Sequence, residues 1–264
     1  MADFRADLHM HSTCSDGTDS PRELVAKAIA AGLSAISITD HDTCAAYADE
    51  LTGITLVTGI ELSCELRNVP IHMLGYCFDV AQMAPFIEEI QQRRLERNRA
   101  ILAKLARCGI AIGEEELGAT TALQSIGRPH IAAILVKRGV VATIREAFDF
   151  YLREGGKCFA PGFRYTPAEI VDQIHSCGGK AIVAHPHFIK KGAVIKELFK
   201  LPIQGIECYY GNLPDYQVRP WLAIARERKW LMTGGSDYHG AIKPHIALGS
   251  SWVGEADFNA LRTP

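Results

Sequence analysis

Imidazoles and carboxylates recur at the ends of short apolar runs in this chain. His9 and His11 flank Met10 after Asp7-Leu8, and Ser12-Thr13-Cys14-Ser15-Asp16-Gly17 follows. His41 lies within Thr39-Asp40-His41-Asp42, Glu61 closes Gly59-Ile60-Glu61, and His72 opens His72-Met73-Leu74-Gly75-Tyr76. His185 and His187 bracket Pro186, and Asp237 and His239 bracket Tyr238. Alternate side chains of a strand share a face, so His9 and His11 point the same way, as two ligands of one ion must. A lone His-x-His is weak, because a histidine at a strand end can simply bond a neighbouring carbonyl. Histidines at five strand ends, joined by Asp16, Glu61 and Asp237, point instead to mixed nitrogen and oxygen ligation of divalent metal. Ions held this way can bind and deprotonate a water, lowering its pKa toward about 7.

The elements that must carry these groups alternate between strand and helix. Strands are predicted at Phe4 to Leu8, Ala35 to Thr39, Thr55 to Ile60 and Ile71 to Tyr76. Others are predicted at Ala181 to Ala184, Gly205 to Cys208 and Trp230 to Thr233. Ser20-Pro21-Arg22-Glu23 opens a helix as a capping box with proline at the first helical position, and Gly32 stops it. Thr166-Pro167-Ala168-Glu169 opens another, ending at Gly178-Gly179. Only about ten residues part strands three and four, too few for a parallel crossover, so these two are expected to be antiparallel. Residues 80–158 change character. Helical patterns run from Met83 to Cys108-Gly109, from Pro129 to Arg138 and from Ile144 to Glu154. We expect an α/β fold, a distorted seven-stranded barrel of residues 1–79 and 159–264 with a helical insert, 80–158, contributing to the substrate cleft. The ligand-bearing strand ends would share one rim, where barrel enzymes hold their sites.

Composition narrows the classes. Of 264 residues, 48% are hydrophobic and 22% charged, an ordinary globular balance that excludes a disordered or fibrous chain. Lys plus Arg is 28 against 30 for Asp plus Glu, which excludes a globally basic nucleic-acid binder but leaves room for a local basic face. No window approaches the ~18 apolar residues of a membrane helix, and the opening Met1-Ala2-Asp3-Phe4-Arg5 has no secretory h-region. The eight cysteines form no Cys-x-x-Cys pair and read as reduced thiols, so a cytoplasmic location is expected.

In their order and type, the motifs Asp7-Leu8-His9-Met10-His11-Ser12, Ser15-Asp16-Gly17, Thr39-Asp40-His41-Asp42, Gly59-Ile60-Glu61, His72-Met73-Leu74-Gly75-Tyr76, Ala184-His185-Pro186 and Gly235-Ser236-Asp237-Tyr238-His239 resemble those of the PHP (polymerase and histidinol phosphatase) family. The resemblance runs from residue 7 to about 240 and implies a distorted (β/α)7 barrel with a trinuclear centre of Mn, Fe or Zn. Position by position, it implies a first metal on His9, His11, Glu61 and Asp237. A second would share Glu61 and add His72 and His185, and a third would take Asp16, His41 and His239. The nucleophile would be a metal-held hydroxide. No side chain is singled out as the general acid.

Gly127-Arg128-Pro129-His130, at the start of an insert helix, resembles the branch containing nucleoside 3',5'-bisphosphate phosphatases and 5'-to-3' exoribonucleases. That implies Arg128 and His130 as substrate-phosphate ligands; a cap pair on the helix is the competing explanation. The expected reaction removes the 3'-phosphate of a nucleoside bisphosphate, with short 5'-phosphorylated oligonucleotides as further substrates and loose base preference. Arg93, Arg94, Arg97, Arg99, Lys104 and Arg107 either form a solvated helix face or attract a polyanion, and Lys157 and Arg164 are weaker candidates of the same kind. Histidinol-phosphate phosphatase is the alternative activity, made second by the helical insert. A non-catalytic PHP module is set against the intact ligand set. No membrane and no protein partner are implied.

Overall fold

The structure is a computed structural model and describes residues 3–118, 125–161 and 165–263. In chain order these form β1 (Ala6–Asp7), α1 (Pro21–Ala30), β2 (Ala35–Ile36), β3 (Thr55–Leu56), β4 (Gly59–Leu66), β5 (Val69–Tyr76) and α2 (Val80–Arg107). Then come α3 (Arg128–Lys137), α4 (Ile144–Ala147), α5 (Pro167–Ser176), β6 (Lys180–Val183), α6 (Gly192–Leu198), β7 (Gly205–Tyr210), α7 (Asp215–Arg228), β8 (Leu231–Gly235) and α8 (Glu255–Arg262). Two compact units result, Met1–Phe86 with Arg164–Pro264, and Ile87–Phe163.

In the first unit β1, β2 and β3 pair in parallel, and β4 to β8 form a second sheet in sequence order. Its β6, β7 and β8 are parallel, whereas β5 is antiparallel to both β4 and β6. Isolated parallel bridges join the two sheets, His41 after β2 to Glu61 of β4, and Met10 after β1 to Tyr238 after β8. Leu8 N–H also donates to Gly234 O at 3.1 Å. The pairings therefore run in a closed ring.

The antiparallel expectation holds, with one change of detail. The predicted third strand is divided: Thr55–Leu56 pairs with β2, and Gly59 begins a strand that runs past Glu61 to Leu66. His72 consequently pairs with Ser63 inside the hairpin instead of opening a strand. The turn is Arg67-Asn68, both left-handed at φ 51° and 59°. Such two-residue turns usually advertise themselves with Asn-Gly or Asp-Gly, a signal absent here.

The helix starts follow local chemistry. Ser20 N–H donates to Glu23 Oε2 at 2.7 Å while Glu23 N–H donates to Ser20 Oγ at 3.3 Å. Thr166 and Glu169 repeat the reciprocal pair at α5. Ala6, Leu8, Leu74, Tyr76, Ile182 and Ala184 pack with Phe258 and Leu261 of α8, while Met10, Ile36 and Ile38 pack on Leu24, Val25 and Ala28 of α1. Burying each large side chain contributes roughly 2 kcal/mol, which fixes β1 between these clusters.

The second unit has its own core of Leu102, Leu105, Ile131, Leu135 and Leu152. The helical run predicted from Ile144 keeps regular α geometry only to Ala147. Its continuation, Phe148–Leu152, widens to a π turn in which Arg153 N–H donates to Phe148 O at 2.9 Å.

Candidate metal centre

β1 continues into His9-Met10-His11, and both imidazoles are fully buried. Asp237 is brought beside them because β8 lies unusually close to β1. A Cβ on Gly235 would stand 2.3 Å from His9 N, so only glycine permits this approach. Asp237 N–H then donates to His9 O at 2.8 Å. Asp237 and His185 both adopt left-handed backbone, φ 54° and 27°. In non-glycine residues this is strain held by the surrounding structure.

Four donor atoms converge. His9 Nε2 and His11 Nε2 are 3.2 Å apart. His9 Nε2 lies 3.3 Å from Glu61 Oε2 and 3.4 Å from Asp237 Oδ1. His11 Nε2 lies 3.1 and 3.2 Å from the same two oxygens. These are five of the six edges of the four-atom set, and a regular tetrahedron of such edges has its centre about 1.9–2.1 Å from each vertex, close to the length of a metal–nitrogen or metal–oxygen bond. The tautomers agree. Glu207 Oε1 accepts from His9 Nδ1 at 2.8 Å, leaving a lone pair on Nε2 aimed at the cage.

Glu61 extends the arrangement through its other oxygen. Oε1 lies 2.8 Å from His72 Nδ1 and 2.9 Å from His185 Nε2. Its Oε2 is also 3.2 Å from His41 Nδ1. The Nδ1 atoms of His41 and His72 are buried with no hydrogen-bond partner, as expected of nitrogens that wait for an ion. A further group gathers on Asp16. His239 Nε2 is 3.4 Å and His11 Nδ1 3.6 Å from its Oδ1, and His41 Nε2 is 3.9 Å from its Oδ2. Asp237 O accepts from His239 Nδ1 at 2.9 Å, which frees Nε2 for the Asp16 side. Among the described residues, the clusters able to hold a metal are thus His9-His11-Glu61-Asp237, His41-Glu61-His72 and His11-Asp16-His41-His239. All nine residues singled out in the sequence lie within them or, for His185, against Glu61.

The electrostatics keep these donors ready. Burial opposes charge on Glu61, yet the imidazoles of His41, His72 and His9 outweigh it and hold the carboxyl well below its usual range. Asp237, through His9, His11 and Lys243, and Asp16, through His41 and His239, are held down in the same way. Burial likewise opposes charge on His11, but hydrogen bonds to Asp237 and Glu61 raise its pKa to about 9. His41, dominated by burial, falls to about 3 and is neutral. The donor chemistry fits divalent metal: ionised carboxylates beside imidazoles, of which His11 gives up a proton when an ion binds.

Several supporting residues escaped the sequence reading. Glu207 is fully buried between two ligand-bearing strands, its Oε2 accepting from His185 N–H at 2.7 Å. Tyr210 Oη and Lys243 Nζ each donate to Asp237 Oδ2 at 2.5 Å, turning Oδ1 to the cage. Asp40 gathers Ser12 N–H at 2.7 Å and the hydroxyls of Ser12 and Ser15, shaping the loop that carries Asp16. Asp7 accepts from Ser236 N–H and Gly249 N–H at 2.9 and 2.8 Å. Glu207 and Tyr210 show in the sequence only as polar residues of strand β7, and Lys243 gives no local signal.

Two further histidines bond within the fold. His175 Nε2 is 2.8 Å from Gln204 Oε1, and Cys208 O accepts from His187 Nε2 at 3.1 Å. In the second unit His130 Nδ1 accepts from Gly127 N–H at 3.2 Å, and Arg128 donates to Leu152 O at 3.3 Å. Of the basic segment, Arg93 pairs with Glu89, and Arg99 with Glu114 at 2.8 Å. Arg164 lies outside the described residues. No helix of the described residues is long and apolar enough to cross a membrane.

Comparison with known proteins agrees with this geometry. The chain is 31% identical over 260 residues to the 5'-3' exoribonuclease Rnm of Escherichia coli, covering 92% of this chain and 87% of that protein. It is 30% identical over 246 residues to the 3',5'-nucleoside bisphosphate phosphatase of Chromobacterium violaceum, covering 88% and 86%. A crystal structure from Bifidobacterium adolescentis, assigned as a metal-dependent phosphoesterase, superposes with a TM-score of 0.87 at 28% identity over 97% of this chain and 94% of that one. Residues 7–153 match the PHP domain. The chain belongs to the PHP domain family and is a phosphoester hydrolase.

Proposed function

We propose that the protein hydrolyses a phosphate monoester of a nucleotide, foremost the 3'-phosphate of nucleoside 3',5'-bisphosphates, and that short 5'-phosphorylated oligonucleotides are further substrates. The observation that carries this reading is the four-donor cage of His9, His11, Glu61 and Asp237 with edges of 3.1 to 3.4 Å. The relatives named for bisphosphates and RNA supply the substrate class. We assign three divalent ions, Mn, Fe or Zn: one to that cage, one to Glu61, His72 and His185, and one to Asp16, His41 and His239. When bound, such ions supply the Lewis-acid charge that activates water and neutralises phosphate oxygens.

The chain's own groups do the rest. Glu207 fixes the His9 tautomer and anchors the backbone of His185. Tyr210 and Lys243 hold Asp237 by its outer oxygen. Arg128 and His130 take the substrate's second phosphate in this reading. Arginine's planar fork suits phosphate, and a histidine that accepts at Nδ1 carries its proton on Nε2, where it can donate to an anion at a helix N-terminus. The cytoplasm is the location we assign, where eight uncrosslinked thiols are stable.

The test is a substrate panel with Mn-loaded protein. Adenosine 3',5'-bisphosphate should yield the 5'-monophosphate and inorganic phosphate, with a larger kcat/KM than histidinol phosphate. Preference for histidinol phosphate, or no release from any nucleotide, would overturn the reading.

A further inference from the structure

Phe188 is 54% exposed, although its neighbours belong to the metal centre. It ends the short turn Pro186–Phe188 that follows His185 directly. Its ring centroid lies 5.9 Å from that of His185 and 5.0 Å from that of Tyr210, edge to face with the latter. Both supports are themselves tethered. His185 Nε2 sits 2.9 Å from Glu61 Oε1, and Tyr210 Oη donates to Asp237 Oδ2 at 2.5 Å. The flanking proline fixes φ, which stiffens the turn further.

A large apolar ring propped rigidly by two groups of a hydrolytic centre, yet left open to water, has the form of a stacking platform. We propose that Phe188 stacks the nucleobase of the substrate whose phosphate enters the centre. This rests on the nucleotide reading above. The position suits it: Phe188 stands beside His185, whose Nε2 is 2.9 Å from Glu61 Oε1, and in a nucleotide one ribose separates the base from its phosphate. Every base has a π-face, so the platform selects nucleotides over other phosphate esters without selecting strongly among bases. Larger purine faces gain more than pyrimidines.

The test reads binding, independently of turnover. Calorimetry on the metal-loaded protein compares adenosine 5'-monophosphate with ribose 5-phosphate, which lacks the base. In the wild type the monophosphate should bind at least about tenfold more tightly. That ratio should collapse to near one in Phe188→Ala and in Phe188→Leu, which fills similar volume without a π-face, and should survive in Phe188→Trp. Circular dichroism checks that each variant is folded. Equal affinities in the wild type, or a preference that survives in both Phe188→Ala and Phe188→Leu, would overturn the platform. Hydrolysis of adenosine 3',5'-bisphosphate by the wild type is scored separately, so loss of the platform and loss of the nucleotide reading give different results.

Discussion

Glu207 Oε1 lies 2.8 Å from His9 Nδ1, and both side chains are completely buried. The pair joins β7 to the end of β1 and sets which nitrogen of His9 faces the cage. Carboxylates behind a ligating imidazole orient it and raise its basicity, and their loss typically costs 10–100-fold in metal affinity or activity. Glu207→Gln should therefore keep the fold and weaken metal binding by about tenfold or more. Isothermal titration with Mn or Zn, beside circular dichroism, checks both halves.

Asp237→Asn should be more severe. The amide can still offer an oxygen to the cage, but its NH2 then meets the Lys243 ammonium, which can only donate, and the charge-assisted bonds from Lys243 and Tyr210 are lost. Buried donors facing donors lose their bonds. Turnover should fall by at least about a hundredfold with near-native far-UV circular dichroism. Activity within threefold of wild type would remove Asp237 from the centre.

Gly235→Ala tests the closure of β8 on β1. The added methyl would meet His9 N at 2.3 Å and His9 Cβ at 2.5 Å, one of them backbone that has nowhere to move. Overpacking of this kind costs about 1–3 kcal/mol, and the displaced strand carries Asp237 with it. Chemical denaturation should show that loss, and metal titration should show weaker binding even where the variant is folded.

Chelation should depend on pH with a definite sign. Without metal, His11 has its pKa raised to about 9, so its charge stabilises the fold fully below about 6.5 and this contribution is lost as pH rises through about 9. Metal must displace that same proton, so metal binds better as pH rises across the same window. The drop in Tm caused by a chelator should be larger at pH 8.5 than at pH 6.5. Binding should also release protons, measurable as a buffer-dependent heat. A drop that shrinks with pH would contradict the assignment.

Arg128→Ala should raise KM for a nucleoside bisphosphate more than for a plain aryl phosphate, and Arg128→Lys should not restore it, because a point charge lacks the paired donors. Steady-state kinetics on both substrates decide this. Equal effects would leave Arg128 as a support for the Leu152 carbonyl and the neighbouring Phe148 and Phe159 rings.

What the sequence determined by itself were features set by neighbours along the chain. Strand alternation put His9 and His11 on one face, and Ser20 with Glu23 and Thr166 with Glu169 marked helix starts, because caps reach only three residues. The motifs of His9, His185 and Asp237 could be placed because each follows the end of its own strand, whereas Glu61 and His72 lie inside β4 and β5. Tertiary structure alone decided which distant groups meet. Glu207 is 198 residues from His9, and Tyr210 and Lys243 become relevant only once Asp237 Oδ2 lies between them. Nor could local pattern foresee the Arg67-Asn68 turn, which needed two left-handed residues without a glycine, or that Phe188 would stay open beside a buried centre. Contacts of that kind depend on how strands close on one another, and the approach of β8 to β1 at Gly235 is what turns spaced motifs into a cage.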